Sequence, residues 1–336
     1  MIRVLNQNLL STLYSRKQQE RLQVSTEMNS IFPEIQFHAD FKDFEKDPYF
    51  QALQFVKGSN PGYKTDYVSN EASNILKYKQ LSVFSNLLNK SGFSKFMPVK
   101  GMYLLNNLFS PFPGIRQMAD IDILMHPDEF KKIPVFIKKH PEIELKSNFH
   151  PALRRFFAED FSFVFNDTVI ELHSEITLVS FPGFVKEMFE HSTLIKNPDK
   201  MVFLTPEIEY MTTLMLLHDY ARNDFSDLNC KRLLEFYLVL GQCDFEKLFR
   251  ITKKYGLDKM LDCHLFILYT IIKTPFFKRS DFSIDVSFGY IEKHPRYNSF
   301  IVADPLKLRK VLYGKRWKYL RTRNLAAETF KLFFSR

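Results

Sequence analysis

Hydrophobic periodicity changes character three times along this chain, and that change places any sheet in its middle third. Residues 1 to about 95 read as helical, most clearly in "NILKYKQLSVFSNLLNKSG", where Leu81, Phe84 and Leu88 recur at helical spacing and Ser91-Gly92 closes the helix. Between 94 and 180 the pattern turns into short β-rich runs, "FMPV", "DIDIL", "FSFVF" and "TVIELHSEI", with helical or loop pieces such as "PDEFKKIPVFIKK" between them. From "TPEIEYMTTLMLLHDYAR" onward it is helical again, with Met211, Leu214, Met215 and His218 on one face, then "KRLLEFYLVL", "DFEKLFRITKKYG" and "MLDCHLFILYTII". The expected class is α/β (α+β): a helical region over 1–93, a core with a small mixed β-sheet over 94–200, a helical bundle over 201–305 and a tail over 306–336. The stretch "GSNPGYKTD" (58–66) reads as an exposed loop, and no internal repeat is visible.

Composition removes several classes of function. With 336 residues and 45% apolar content the chain can bury a sizeable core. The N-terminal "MIRVLNQNLLSTLYSR" has no uninterrupted apolar stretch, and "HLFILYTIIK" is far too short to cross a bilayer, so a cytoplasmic protein without a transmembrane segment is expected. Cys230, Cys243 and Cys263 lie far apart with no CxxC pair, which suggests neither a disulfide framework nor a zinc site. Only 10 glycines occur, and neither GxGxxG nor GxxxxGK[ST] is present, against a dinucleotide fold or a P-loop. The net charge of +9 is local: residues 306–336 hold ten Lys/Arg and one acid, Glu328. With Tyr313, Trp317, Tyr319, Phe330 and Phe333 interleaved, that tail is expected either to hold RNA or another polyanion, or to pack its aromatics on the bundle.

The residues that carry chemistry lie in the β-rich middle. Side chains alternate across a strand, so Asp120 and Asp122 of "ADIDIL" project to one face about 7 Å apart while Ile121 and Ile123 point to the core. Two acids so placed suit a shared divalent cation, and Arg116 is near enough in sequence to help neutralise them. A solvated strand edge is the alternative for such a pair. In "TVIELHSEI" the same alternation puts Val169, Glu171 and His173 on one face and Ile170 and Leu172 on the other. A third carboxylate beside the first two is what phosphoryl or nucleotidyl transfer needs, in which charge on phosphate oxygens must be neutralised during in-line displacement. His173 would orient the acceptor or the cation, or serve as a hydrogen-bonded structural residue; His218 would close over a nucleotide.

Lys100-Gly101, a helix, Arg116 four residues ahead of "DIDIL", and a strand ending in "IELH" together resemble the uncharacterised nucleotidyltransferase family of the DNA polymerase β-like nucleotidyltransferase superfamily. The resemblance spans roughly residues 70 to 275 and includes the later helix with His218. It implies a nucleotidyltransferase sheet as the core. It also implies Mg2+ (or Mn2+) held by Asp120, Asp122 and Glu171, and an NTP whose β- or γ-phosphate is met by Lys100. Gly101 would let backbone N–H groups approach, with Arg116 as a second cation. Ser174 stands where the family commonly has tryptophan, and Glu235 where it commonly has aspartate. The implied reaction moves an NMP to a hydroxyl or phosphate on a protein, an RNA or a small molecule. The toxin-type nucleotidyltransferases of abortive-infection systems show a similar order of KG, R and DxD. The other reading is a catalytically silent nucleotide-binding or scaffold protein of the same fold.

Overall fold

The structure, a computed structural model, describes residues 35–37, 45–110, 112–145, 160–174, 183–196, 202–221 and 230–273, and the strands at 286–290 and 298–302. The basic aromatic tail, 306–336, lies outside the described residues. The chain enters through α1 (Pro48–Val56), whose N-cap Asp47 accepts from the Tyr49 N–H at 2.9 Å, and a 3-10 turn at Pro61–Tyr63. Helix α2 begins directly at Lys64 and runs to Lys90, so the expected loop at 58–66 is exposed but partly helical. Gly92, at φ +85, takes the left-handed position that ends α2, a conformation open to glycine at no steric penalty.

The centre is a five-stranded mixed sheet built from β1 (Phe96–Pro98), β2 (Asp120–Met125), β3 (Glu144–Leu145), β4 (Asp160–Phe165) and β5 (Thr168–His173). Its order is β1-β2-β5-β4-β3, with β2 and β5 parallel and every other pair antiparallel. Between β1 and β2 stands α3 (Lys100–Asn107); α4 (Pro127–Phe130) and α5 (Ile133–Lys139) follow β2. Burial alternates along β5 as far as Leu172, whereas β2 is buried at every position after Asp120. Ile121, Ile123, Ile170, Leu172 and Phe163 are fully inside, and α2 lies over that face through Leu81, Phe84 and Leu88. The Phe84 ring meets Phe163 and Phe165 at 5.3 Å and Phe136 of α5 at 6.3 Å. The Glu129 carboxylate of α4 accepts from the Ser94 and Lys95 N–H groups at 2.9–3.2 Å and so fixes where β1 starts.

Beyond the sheet come α6 (Phe184–Glu190), a hairpin of β6 (Ser192–Lys196) and β7 (Val202–Pro206), and four helices: α7 (Ile208–Ala221), α8 (Cys230–Leu240), α9 (Phe245–Lys254) and α10 (Asp258–Ile271). A second hairpin, β8 (Val286–Tyr290) with β9 (Asn298–Val302), falls where helix was expected. Val286, Phe288 and Tyr290 alternate with Ser287 and Gly289, a period-two pattern short enough to be lost beside the long helical runs. Helix α8 is tied to the segment before β2 by an ion pair in which Arg116 Nε donates to Glu235 Oε1 at 2.6 Å; the two side chains are 15% and 5% exposed. Asn74 of α2 anchors the same segment, donating to the carbonyls of Pro113 at 2.6 Å and of Arg116.

Two stability changes follow from this packing. Phe84→Ala opens a cavity among three aromatic rings and should lower unfolding stability by about 3–5 kcal/mol, read as a shifted denaturation midpoint with an unchanged slope. Glu235→Ala leaves a buried guanidinium without its partner and should cost about 3–5 kcal/mol by the same measurement. The double replacement Arg116→Met with Glu235→Leu should recover most of that loss, because the uncompensated charge is gone.

Candidate functional site

The parallel pairing of β2 with β5 sets the site. Its register places Asp122 beside Glu171 and Leu124 beside His173, so the polar face carries two carboxylates on adjacent strands, about 4.8 Å apart in backbone spacing. The apolar residues between them hold this register, since a slip by one residue would turn Ile121, Ile123, Ile170 and Leu172 out of the core. Asp122 is 6% exposed and His173 2%, while Glu171 is half-buried.

Strand β1 delivers the cation. The Val99 N–H donates to the Asp122 carbonyl at 3.0 Å, so the chain leaves the sheet level with Asp122 and turns into α3 at Lys100. Lys100 has φ +51, a left-handed conformation that costs a non-glycine residue on the order of 1 kcal/mol or more. Its ammonium sits 2.7 Å from Asp122 Oδ1, an ion pair that holds the residue in that conformation. The same oxygen lies 3.0 Å from His173 Nε2, and Glu171 Oε2 is 3.6 Å from that nitrogen.

The electrostatics separate the two acids. Burial pushes the Asp122 carboxyl up, but the charge of Lys100 and the hydrogen bond and charge of His173 outweigh it and hold it well below the usual carboxylate range. Glu171 is raised, first by burial and then by repulsion from Asp122 and Asp120, with His173 and Lys100 opposing. Of two neighbouring carboxylates, one stays firmly ionised and the other binds a proton more readily.

Among the described residues, one donor atom from each of Asp122, Glu171 and His173 lies within 4.8 Å of the others. Two carboxylate oxygens and an imidazole nitrogen fit a divalent cation; the carboxylates suit Mg2+ or Mn2+, and the imidazole favours Mn2+. Asp120 shares the face by alternation but stands outside this group. It is the first residue of β2, and β1 pairs only with Ile123–Met125, so Asp120 has a neighbouring strand on one side alone.

Arg116 comes to the site from behind. Its guanidinium rests on Gly101, where an added Cβ would overlap it and touch Met118, which gives Gly101 a packing reason as well as a turn position. Burial opposes its charge, yet Glu235 raises its affinity for the proton further still, with Tyr49 and Asp122 adding to that effect. Its partner is therefore Glu235, 119 positions away, rather than Asp120 or Asp122. The only trace of this in the sequence is an acid among the apolar residues of "RLLEFYLVL". His218 lies on α7, half-buried, on a different element from the Asp122–Glu171–His173 group. Among the described residues no helix is long and apolar enough to cross a membrane.

The family model described as uncharacterised nucleotidyltransferase matches residues 63–270, a span that takes in α2, the whole sheet and the helices up to α10. No curated protein matches the chain. With more than half of its length matched, and with Lys100, Asp122, Glu171, His173 and Glu235 all inside the span, the protein belongs to the uncharacterised nucleotidyltransferase family.

Proposed function

We propose that the protein moves a nucleoside monophosphate from an NTP to a hydroxyl or phosphate acceptor on a protein, an RNA or a small molecule. Asp122 and Glu171 would hold a divalent cation, Mg2+ or Mn2+, with His173 beside them. The observation that carries this reading is the lateral pairing of Asp122 with Glu171 on parallel strands, with the Lys100 ammonium 2.7 Å from Asp122 Oδ1. A cation bound there would neutralise phosphate charge while the bond to the leaving pyrophosphate breaks.

The chain's own groups support each part of the reaction. No side chain caps α3 at Val99, and the N–H groups of its first turn and its positive dipole end would meet the phosphate oxygens. Lys100, at that same turn, neutralises Asp122 and would pass its ammonium to the triphosphate on binding, a short move for a flexible side chain. The acceptor oxygen bonds to the α-phosphorus, the α-phosphorus bond to pyrophosphate oxygen breaks, and Glu171 takes the hydroxyl proton. His173 donates to Asp122 and keeps that carboxylate facing the reaction. Incubation with each of four α-labelled NTPs, Mg2+ or Mn2+ and a cell lysate as acceptor source tests the reading. Label transferred to any acceptor supports it. NTP binding without transfer in any arm would instead mark a catalytically silent protein.

Variants separate binding from chemistry. Asp122→Asn should abolish cation-dependent NTP binding in calorimetry while circular dichroism shows a folded protein; equal binding by wild type and variant would overturn the assignment. Glu171→Gln should keep measurable NTP affinity and lose transfer by roughly 10²-fold, the size of a general-base contribution. Lys100→Ala should weaken triphosphate binding itself, and unchanged binding would remove its phosphate role.

A further inference from the structure

A cleft of about 550 Å³ opens at the N-terminal end of β2, one strand repeat from the Lys100–Asp122 contact, and its wall includes Tyr49, Tyr63, Asn70, Arg116, Asp120 and Lys231. That volume suits a molecule the size of one nucleotide. Among the described residues, two of these groups have hydrogen-bonding capacity that their contacts leave partly unused. The Tyr49 ring is 5% exposed and packs edge-on against Phe109 at 6.3 Å, yet its buried hydroxyl has no hydrogen-bond partner. A buried hydroxyl left unpaired is destabilising, and phenylalanine would fill the same space without that penalty. The Lys231 ammonium donates to the Gln117 carbonyl at 3.1 Å, which uses one of its three N–H groups.

Charged groups of both signs line the cleft: Asp47 and Asp120 are acids, Arg116 and Lys231 cations, and the charge of Asp47 also acts on Lys231. Arg116 is held by Glu235, and Lys231 feels the positive charge of Arg116 and Arg232 and the negative charge of Glu235 and Asp120. Burial and the two arginines lower the affinity of Lys231 for its proton, to a pKa of about 8, against the pull of Glu235 and Asp120. A ligand anion would relieve that strain. Asp120, half-buried and outside the Asp122–Glu171–His173 group, is the carboxylate shared between the cleft and the reacting face of β2.

We infer that this cleft is the acceptor site and takes a small hydroxyl compound carrying a phosphate or carboxylate. Lys231 and the Tyr49 hydroxyl hold the anionic group, and Asp120 accepts a hydrogen bond from the incoming hydroxyl, whose single proton then passes to Glu171 at transfer. This rests on the nucleotidyl-transfer reading, and it gives Asp120 a positioning role on the acceptor in place of cation ligation. The triphosphate, at Lys100 and the N-terminus of α3, and the acceptor, at Lys231, then approach the carboxylate pair from different parts of β2.

The test uses the full chain, with ribose 5-phosphate, glycerol 3-phosphate and 3-hydroxybutyrate as probes of the two anion types. Binding is read by ligand-observed NMR, and cation-dependent NTP binding by calorimetry on the same samples. Wild type should bind at least one probe. Lys231→Met should lose it by tenfold or more while keeping NTP binding, and Lys100→Met should show the reverse. Tyr49→Phe should weaken the probe by about fivefold with an unchanged or higher melting temperature, because it removes an unpaired buried hydroxyl. The inference is overturned if no probe binds wild type, if Lys231→Met binds probe as wild type does, or if probe binding is lost only in Lys100→Met. A lower melting temperature in Tyr49→Phe would overturn it too. Probe binding that survives where NTP binding is absent from wild type would sink the nucleotidyl-transfer reading and leave an anion site standing.

Discussion

A carboxylate buried as deeply as Asp122 cannot stay ionised unless positive charge meets it, and that requirement organises the centre of this protein. Lys100 and His173 share one of its oxygens, at 2.7 and 3.0 Å. For Lys100 to arrive there, β1 must end level with Asp122, which the Val99-to-Asp122 hydrogen bond secures and the Glu129 anchoring of Ser94 and Lys95 prepares. For His173 to arrive, β5 must run parallel to β2 in one register only, which the buried isoleucines and leucine of both strands enforce. The cost of burying the charge is offset by groups that are themselves suited to phosphate chemistry.

A second buried pair, Arg116 with Glu235, connects the sheet to the helical half of the molecule. It occupies the guanidinium that sequence order alone would assign to a phosphate, and it fixes α8 against the segment leading into β2. Lys231 follows from that arrangement. It is carried on the same helix one turn before Glu235 and is brought to the wall of the cleft that Asp120 also lines because Glu235 is locked onto Arg116. The site is thus closed by a helix from the far end of the chain, and the cleft at Asp120 is bounded by both halves of the matched family span.

Much of this was legible in the chain. The mixed class, the strands "DIDIL" and "TVIELH", the burial of Ile121 and Ile123, the helical stripe of Leu81, Phe84 and Leu88, and the common face of Asp122, Glu171 and His173 all follow from alternation of period two or 3.6. These patterns are local, so each residue's neighbours along the chain determine which way it points. The hairpin at 286–302 escaped because its strands are short and follow long helical stretches.

Alternation could state that Asp120 and Asp122 share a face, and that much the sequence by itself determined, together with the residue types available for cation and phosphate. Only the tertiary structure decided that Asp122 is enclosed while Asp120 is half-buried, because the Val99–Lys100 turn that follows β1 meets Asp122 and not Asp120. It alone decided that Arg116 meets Glu235, that Lys231 and Asp120 line one cleft, and that the Tyr49 hydroxyl is buried without a partner. The physical reason is range: side-chain direction is set by backbone geometry within a few residues, whereas the pairing of buried charges depends on which distant elements exclude water from them together.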